Sequence, residues 1–219
     1  MSVSPIQAAQ SVMDRAAALL AAAGADAVGD EQARLALVLG VSALDTYFHM
    51  RVLRSVDSRK PLRRAVANVE MSFEDLVTLS EKLREAHVQA ERRNLKAAKK
   101  KTAKKKRKSA PRPWVPMKRM LRERLLTMTF QSSRGVETAL RMVGVRKPWS
   151  KLNAPLTLST DEIKSRLGGI VHRRNQIVHE GDLQRMDRPQ QVVLNPVDRA
   201  EMQASLDWLR TFVQAVDAL

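Results

Sequence analysis

The segment from Ser159 to Gly181 carries helix signals at both of its ends. Ser159 followed three residues later by Glu162 fits a capping box, and Gly181 fits the glycine that ends a helix. Between these ends the apolar residues recur at helical spacing, at Ile163, Leu167, Ile170, Val171, Ile177 and Val178. The sequence therefore predicts one amphipathic helix against which the rest of the chain packs.

Two residues of this helix stand out chemically. Arg174 lies in the middle of the apolar stripe, where a guanidinium costs free energy unless it is paired or faces a cleft. His179 lies in the last turn, where the helix dipole favours the imidazolium form. The pattern marks Arg174 and His179 as candidate functional residues.

The composition favours a single all-α domain over residues 1–219. Of the 219 residues, 44% are hydrophobic but only 4% are aromatic, and Ala and Leu dominate, which favours helix packed on helix. The absence of cysteine excludes disulfides and thiol chemistry and fits a cytoplasmic protein. No apolar run approaches the roughly 20 residues of a membrane span, and the alanine-rich start lacks the basic residues of a secretory signal.

Capping and periodicity place the other helices. We predict helices over residues 5–23, 30–56, 73–93, 117–143 and 195–218, and a short one after a break at Pro61. Asp30 is the predicted N-cap of the second helix, and Asn195 with Pro196 opens the last. Pro148 and Pro155 place residues 145–158 in a loop, and residues 190–194 form a brief extended piece. The predicted buried sides comprise Leu35, Leu37, Val38, Val41, Leu44, Phe48, Val52 and Leu53; Leu76, Leu79, Leu83 and Val88; Met120, Leu121, Leu125, Met128, Val136 and Leu140; and Leu206, Leu209, Phe212, Val213 and Val216.

The net charge of +16 is concentrated in one segment. Residues 92–122 hold 15 Lys and Arg and no acidic residue, which leaves 24 basic against 23 acidic residues elsewhere. Like charges without apolar periodicity predict an inserted linker over 94–116. Closely spaced cations bind polyanions with salt-sensitive, sequence-indifferent affinity. The predicted nucleic-acid contacts are Lys99, Lys100, Lys101, Lys104, Lys105, Lys106, Arg107 and Lys108; the alternative is a solvated insertion without a ligand.

An arginine, four residues and then a histidine form a short motif at the end of the predicted helix, and an asparagine follows the arginine: Arg174-Asn175-Gln176-Ile177-Val178-His179. This segment resembles the Arg-x4-His motif of HEPN domains, and residues 42–49 resemble, less sharply, an aromatic-rich segment of prokaryotic members. The resemblance implies an up-and-down helical bundle. It also implies a metal-independent endoribonuclease that acts as a homodimer and needs no cofactor. The tyrosine that marks the branch paired with a nucleotidyltransferase antitoxin is absent after His179.

The residue types suit metal-free RNA cleavage. A histidine can transfer protons to or from the 2′-hydroxyl and the departing 5′ oxygen, and an arginine can hold the phosphate oxygens. Positions five apart differ by about 140° around a helix, so Arg174 and His179 do not share a face, whereas Asn175 and His179 do. The resemblance implies that two copies pool these groups in one composite cleft. Gly168 and Gly169 would let another helix, or the partner subunit, approach closely.

Other roles for the same residues stay open. Arg174 can be a core arginine paired with Asp45, which is therefore a supporting residue, and His179 can be a helix-end cap. Arg173 is a solvated charge, a phosphate contact or the true motif arginine. Glu180 supports the site beside His179, but its spacing matches no metal site, so no metal is expected.

The expected function is that of a toxin or phage-defence endoribonuclease. Its partners would be RNA and a second copy, with an inhibitory protein as a plausible third and no membrane. The alternative is a HEPN-like module that binds nucleic acid or protein and cuts nothing.

Overall fold

The computed structural model describes residues 3–56, 59–69, 72–99, 114–185 and 191–219, and most of these residues are helical. The only β-type pairing within them is a single antiparallel bridge between Leu183 and Leu194. The predicted all-α class is therefore confirmed. In chain order the helices are α1 Pro5–Ala21, α2 Ala27–Ser55, α3 Arg59–Val66, α4 Phe73–Lys99, α5 Trp114–Leu125, α6 Ser133–Val143, α7 Pro148–Leu156, α8 Thr160–His179 and α9 Arg199–Asp217.

The chain divides into two compact units. The first comprises Met1–Arg54 with Thr129–Leu219, and the second comprises Ser55–Met128. We predicted one domain with residues 94–116 as the inserted linker. The structure instead continues α4 to Lys99 and starts α5 at Trp114, and it groups both helices with α3 in the second unit.

The core of the first unit forms where α1, α2 and α9 meet. Small residues of α2 lie against larger ones of α9, in a cluster of Ala16, Leu20, Ala33, Ala36, Met202 and Leu206. At Gly40 of α2, a Cβ atom would lie 2.3 Å from Cδ2 of Leu206, so a larger residue there would require the Leu206 side chain to shift. The buried side predicted for α9 is confirmed, but Leu35 of α2 is 54% exposed, contrary to the prediction.

The second unit has a thinner core. Its buried residues include Leu62, Ala65, Ala90, Leu121 and Leu125, and α5 packs against both α3 and α4. Helix α4 was predicted correctly as a helix, but Leu76 and Val88, expected inside, are exposed.

Several predicted boundaries were wrong for identifiable reasons. Pro148 stands in the first turn of α7, where its missing N–H costs nothing, and α7 occupies the predicted loop. The predicted helix over 117–143 is two helices, because Ser132 caps α6 by accepting from the amide of Gly135. Helix α3 begins at Arg59, so Pro61 lies inside it instead of breaking the chain.

Two predicted N-caps were also wrong. Helix α2 begins at Ala27, and Asp26 rather than Asp30 accepts from the amide of Gly29 at 2.8 Å. A Cβ atom on Gly29 would overlap the backbone of Gly24, so this turn requires glycine. Helix α9 begins at Arg199 with Asp198 as its cap.

By length and composition alone, α2 is apolar enough to cross a membrane. Half of the window that meets this test is buried inside the protein, and core helices and N-terminal signal sequences meet the same test. This feature is weak evidence for a membrane span.

Candidate functional site

Helix α8 has the ends that its sequence predicts. Ser159 and Glu162 form the capping box, with Ser159 N donating to Oε2 of Glu162 at 2.8 Å. Hydrogen bonds from the side chain and backbone of Ser159 lower the pKa of Glu162. The helix ends at His179, and Gly181 adopts the left-handed conformation with φ +63° that favours glycine.

The inner face of α8 is closed in its first half and open in its second. Ile163, Leu167 and Ile170 are buried, as predicted. Further along, Ile177 is half-buried and Val178 is 44% exposed. The C-terminal half of the helix therefore presents part of its apolar stripe, together with Arg174, to solvent.

Asp182, just after α8, is the most buried acid in the described part of the chain and is 1% exposed. Nε of Arg34 donates to its Oδ2 at 2.6 Å, and Nη2 of Arg173 donates to the same oxygen at 2.9 Å. Arg173 Nη1 and Asn195 Nδ2 both donate to Oδ1. We name these four residues, Arg34, Arg173, Asp182 and Asn195, the Asp182 clasp.

The clasp determines the charge state of its carboxylate. Burial on its own raises the pKa of Asp182, but the hydrogen bonds from Arg173, Arg34 and Asn195 outweigh burial and hold that pKa below its usual value. Arg34 is also held by Glu31 at 2.8 Å and by the carbonyl of Asn195. The clasp fixes the exit of α8 against the first turns of α2.

The clasp narrows the roles left open for Arg173. Its guanidinium is bound to Asp182 and to the carbonyl of Pro196 at 3.3 Å, so it is not a free solvated charge. Its roles as a phosphate contact or as the motif arginine stay predictions. Sequence reasoning missed Asp182 as the partner, since Arg34 lies 148 residues away along the chain.

Arg174 has a different environment. Its Nη1 donates to Oδ1 of Asn175 at 3.0 Å, and its Nε is buried without a hydrogen-bond partner. None of the ion pairs described for the protein involves it. The predicted bond to Asp45 is absent, because that carboxylate accepts from the backbone amide of Phe130 at 2.6 Å and lies 3.6 Å from Nδ1 of His49.

His179 is exposed at the last position of α8. It lies about 140° from Arg174 around the helix and on the same face as Asn175. The structure thus brings Arg174 and Asn175 into contact and aligns Asn175 with His179. On an ideal helix these positions place Arg174 and His179 on different sides of α8.

The remaining predicted residues are placed as follows. Glu180 pairs with the exposed Arg185 at 2.6 Å, which is a surface ion pair beside His179. Lys99 is the last residue of α4, and Lys100, Lys101, Lys104–Lys106, Arg107 and Lys108 lie outside the described residues. Among the residues that are described, no three His, Asp or Glu side chains gather as metal ligands do.

Comparison with known proteins leaves the family open. No protein-family model matches the chain. No curated protein sequence and no solved structure matches it either.

Proposed function

We propose that the protein is a HEPN-type, metal-independent endoribonuclease, a toxin or phage-defence effector, with Arg174, Asn175 and His179 as its catalytic residues. One observation carries the proposal. Arg174 is a half-buried guanidinium with a carboxamide as its hydrogen-bonded partner and no described carboxylate. Such a group keeps its positive charge available to an anion, because none of the ion pairs described for the protein includes it.

Each residue type has a role in cleavage by the 2′-hydroxyl. Arg174 would bind the phosphate oxygens and stabilise the charge that gathers on phosphorus. His179 would transfer a proton, from the 2′-hydroxyl or to the departing 5′ oxygen. The Asn175 amide would orient these groups, since its Oδ1 already accepts from Arg174 and its position shares a face with His179. The products would be a 2′,3′-cyclic phosphate and a 5′-hydroxyl.

The proposal includes a homodimer for a geometric reason. Arg174 and His179 of one chain lie about 140° apart on α8, so a single copy leaves them on different sides of the helix. Two copies that juxtapose the ends of their α8 helices would bring one chain's arginine near the other's histidine. A nuclease of this kind would harm its host, and an inhibitory partner protein in the cytoplasm is part of the proposal.

An assay in EDTA tests the function directly. Purified protein is incubated with 5′-labelled single-stranded RNA, and the wild type is compared with Arg174→Ala and His179→Ala. His87→Ala is the control, because His87 is an exposed histidine of α4, outside the motif helix. We expect both motif variants to lose cleavage and the control to keep it. Cleavage that persists unchanged in His179→Ala contradicts the catalytic assignment.

A second candidate is a module that binds RNA through Arg174 without cutting it. The separation of Arg174 and His179 around α8 favours this candidate, because binding a phosphate requires only the arginine. It predicts no cleavage by the wild type and a loss of RNA affinity in Arg174→Ala alone.

A further inference from the structure

Helix α8 carries two cations that are held on tryptophan rings. Nζ of Lys164 lies 5.5 Å from the centroid of the Trp149 ring in α7, and Cζ of Arg166 lies 5.4 Å from the centroid of the Trp208 ring in α9. Both tryptophans are buried. Neither cation belongs to an ion pair in the described part of the chain, so both charges are positioned by the rings without being neutralised.

The two cations flank an open strip. Positions 164 and 166 differ by about 160° around the helix, so the side chains lean toward opposite neighbours, α7 and α9. Between them Ser165, Gly168 and Gly169 are exposed. A Cβ atom built on either glycine would meet nothing within 4 Å. We name the strip formed by these five residues the α8 track.

A buried donor beside the track lacks an acceptor. Trp208 is 7% exposed, and its indole Nε1 has no hydrogen-bond partner. An unmade hydrogen bond at a buried donor costs about 1–3 kcal/mol. Arg166 therefore stacks on a ring whose own donor is unpaired, and its cation has no carboxylate partner among the described ion pairs, which suits a phosphate ligand.

We propose that the α8 track binds the phosphate backbone of single-stranded RNA and leads it along the exposed side of α8 toward His172 and His179. The choice of RNA rests on the proposed function. A single strand fits because the track is one helix wide, about 10 Å, whereas duplex RNA is recognised across two successive grooves. Both tryptophans are covered, so the contacts are to the backbone and are indifferent to sequence.

The test is the salt dependence of binding by the full-length protein. The probe is a fluorescent 2′-O-methyl oligouridylate, which lacks the attacking hydroxyl and cannot be cleaved, and its Kd is measured by anisotropy from 50 to 200 mM salt. Each phosphate contact to a single strand contributes about −0.7 to the slope of log affinity against log salt. Lys164→Gln/Arg166→Gln should reduce the slope by about 1.4. The rise in Kd over this range should then be about sevenfold smaller.

The matched control is Arg15→Gln/Arg84→Gln, which removes two exposed cations from α1 and α4. It should leave the slope unchanged, because it keeps both cations of the track. The basic residues of 96–108 are present in every variant, so their contribution to the slope is the same throughout. An unchanged slope in the track variant, or an equal reduction in the control, overturns the proposal. Tighter binding of a duplex than of the single strand also overturns it.

A second variant covers the case in which the glutamine substitutions disturb folding. Gly168→Leu/Gly169→Leu keeps both cations, fills the strip and raises helix propensity. We expect it to weaken binding at every salt concentration with little change of slope; unaltered affinity counts against the track. Because the probe cannot be cut, a track that binds while natural RNA stays intact would refute only the nuclease. If the track variant cleaves RNA and its slope of log affinity against log salt equals that of the wild type, only the track is refuted.

Discussion

Arg173 and Arg174 are adjacent on α8, yet Asp182 neutralises the first and no described carboxylate neutralises the second. Nη2 of Arg173 lies 2.9 Å from the Asp182 carboxylate, whereas Nη1 of Arg174 lies 3.0 Å from the amide oxygen of Asn175. One helical step of about 100° separates an arginine bound to a carboxylate from one bound to a carboxamide. The two residues therefore respond differently to substitution.

The first prediction concerns the Asp182 clasp. Asp182→Asn removes the charge that offsets Arg34 and Arg173, and Arg34 is 5% exposed. Breaking a buried ion pair from one side costs about 3 kcal/mol. We expect the free energy of unfolding, measured by urea titration, to fall by about that amount. Glu180→Gln is the control, because its pair with the exposed Arg185 should contribute less than about 1 kcal/mol.

The second prediction concerns pH. The pKa of Asp182 is lower in the folded protein than in the unfolded chain, where it is about 3.9. The contribution of Asp182 to the free energy of unfolding is therefore fully present above the unfolded pKa, and it is lost as the pH falls through the folded pKa. The difference in unfolding free energy between the wild type and Asp182→Asn should be constant near neutral pH. It should shrink below about pH 4. A difference that stays constant down to pH 2 would contradict the clasp as described.

The third prediction concerns the hydrogen bond between Asn175 and Arg174. Asn175→Asp would place a carboxylate where the amide oxygen lies 3.0 Å from Nη1. The new ion pair should keep the melting temperature equal to that of the wild type or slightly above it. It should also neutralise the Arg174 charge that is proposed to bind phosphate. We expect RNA cleavage to fall by at least about tenfold, a loss equivalent to about 1.4 kcal/mol. Asn175→Asp with full activity would exclude Arg174 as the phosphate ligand.

The fourth prediction tests whether two chains share one site. Arg174→Ala and His179→Ala are each expected to be inactive as homodimers. When the two are mixed and allowed to exchange subunits, a heterodimer retains one arginine and one histidine in the shared cleft. Part of the activity should return, as measured by cleavage against mixing ratio. If no mixture cleaves while each variant remains dimeric by light scattering, the composite cleft is refuted.

The fifth prediction contrasts two glycines in helices. Gly169→Ala adds a methyl group into open space and should stabilise the protein by about 0.5–1 kcal/mol through helix propensity. Gly29→Ala forces a Cβ atom to within 1.7 Å of the carbonyl oxygen of Gly24 and should destabilise it. Melting temperatures of the two variants should move in opposite directions. A fall for Gly169→Ala would show that this surface is covered in solution.

Local signals were sufficient to predict much of the fold. The capping box at Ser159 and the apolar face of α9 were both correct, because each depends on residues close together in sequence. Boundaries failed where local chemistry permits two outcomes. A proline in the interior of a helix breaks it, whereas a proline in the first turn is favourable. Pro148 stands in the first turn of α7.

The site was predictable only in part, for a related reason. The helix signals correctly placed His179 in the last turn of α8, where Val178 is exposed. The roles of Arg174 and His179 stay predictions. The pattern did not reveal that Asp182 binds Arg173, since the Arg34 that completes the clasp lies 148 residues from Asp182 along the chain. A carboxylate directly after a helix-ending glycine was the only local hint.

The clasp also sets an order of assembly during synthesis. Arg34 leaves the ribosome long before Asp182 and Asn195, and until they follow it the arginine cations of α2 and α8 lack their shared counter-charge. The exit of α8, and with it the position of His179, is therefore fixed only when the final quarter of the polypeptide has emerged. A nascent chain that ends after residue 179 but before residue 182 contains every residue of the motif. It lacks the Asp182 carboxylate that anchors the end of α8.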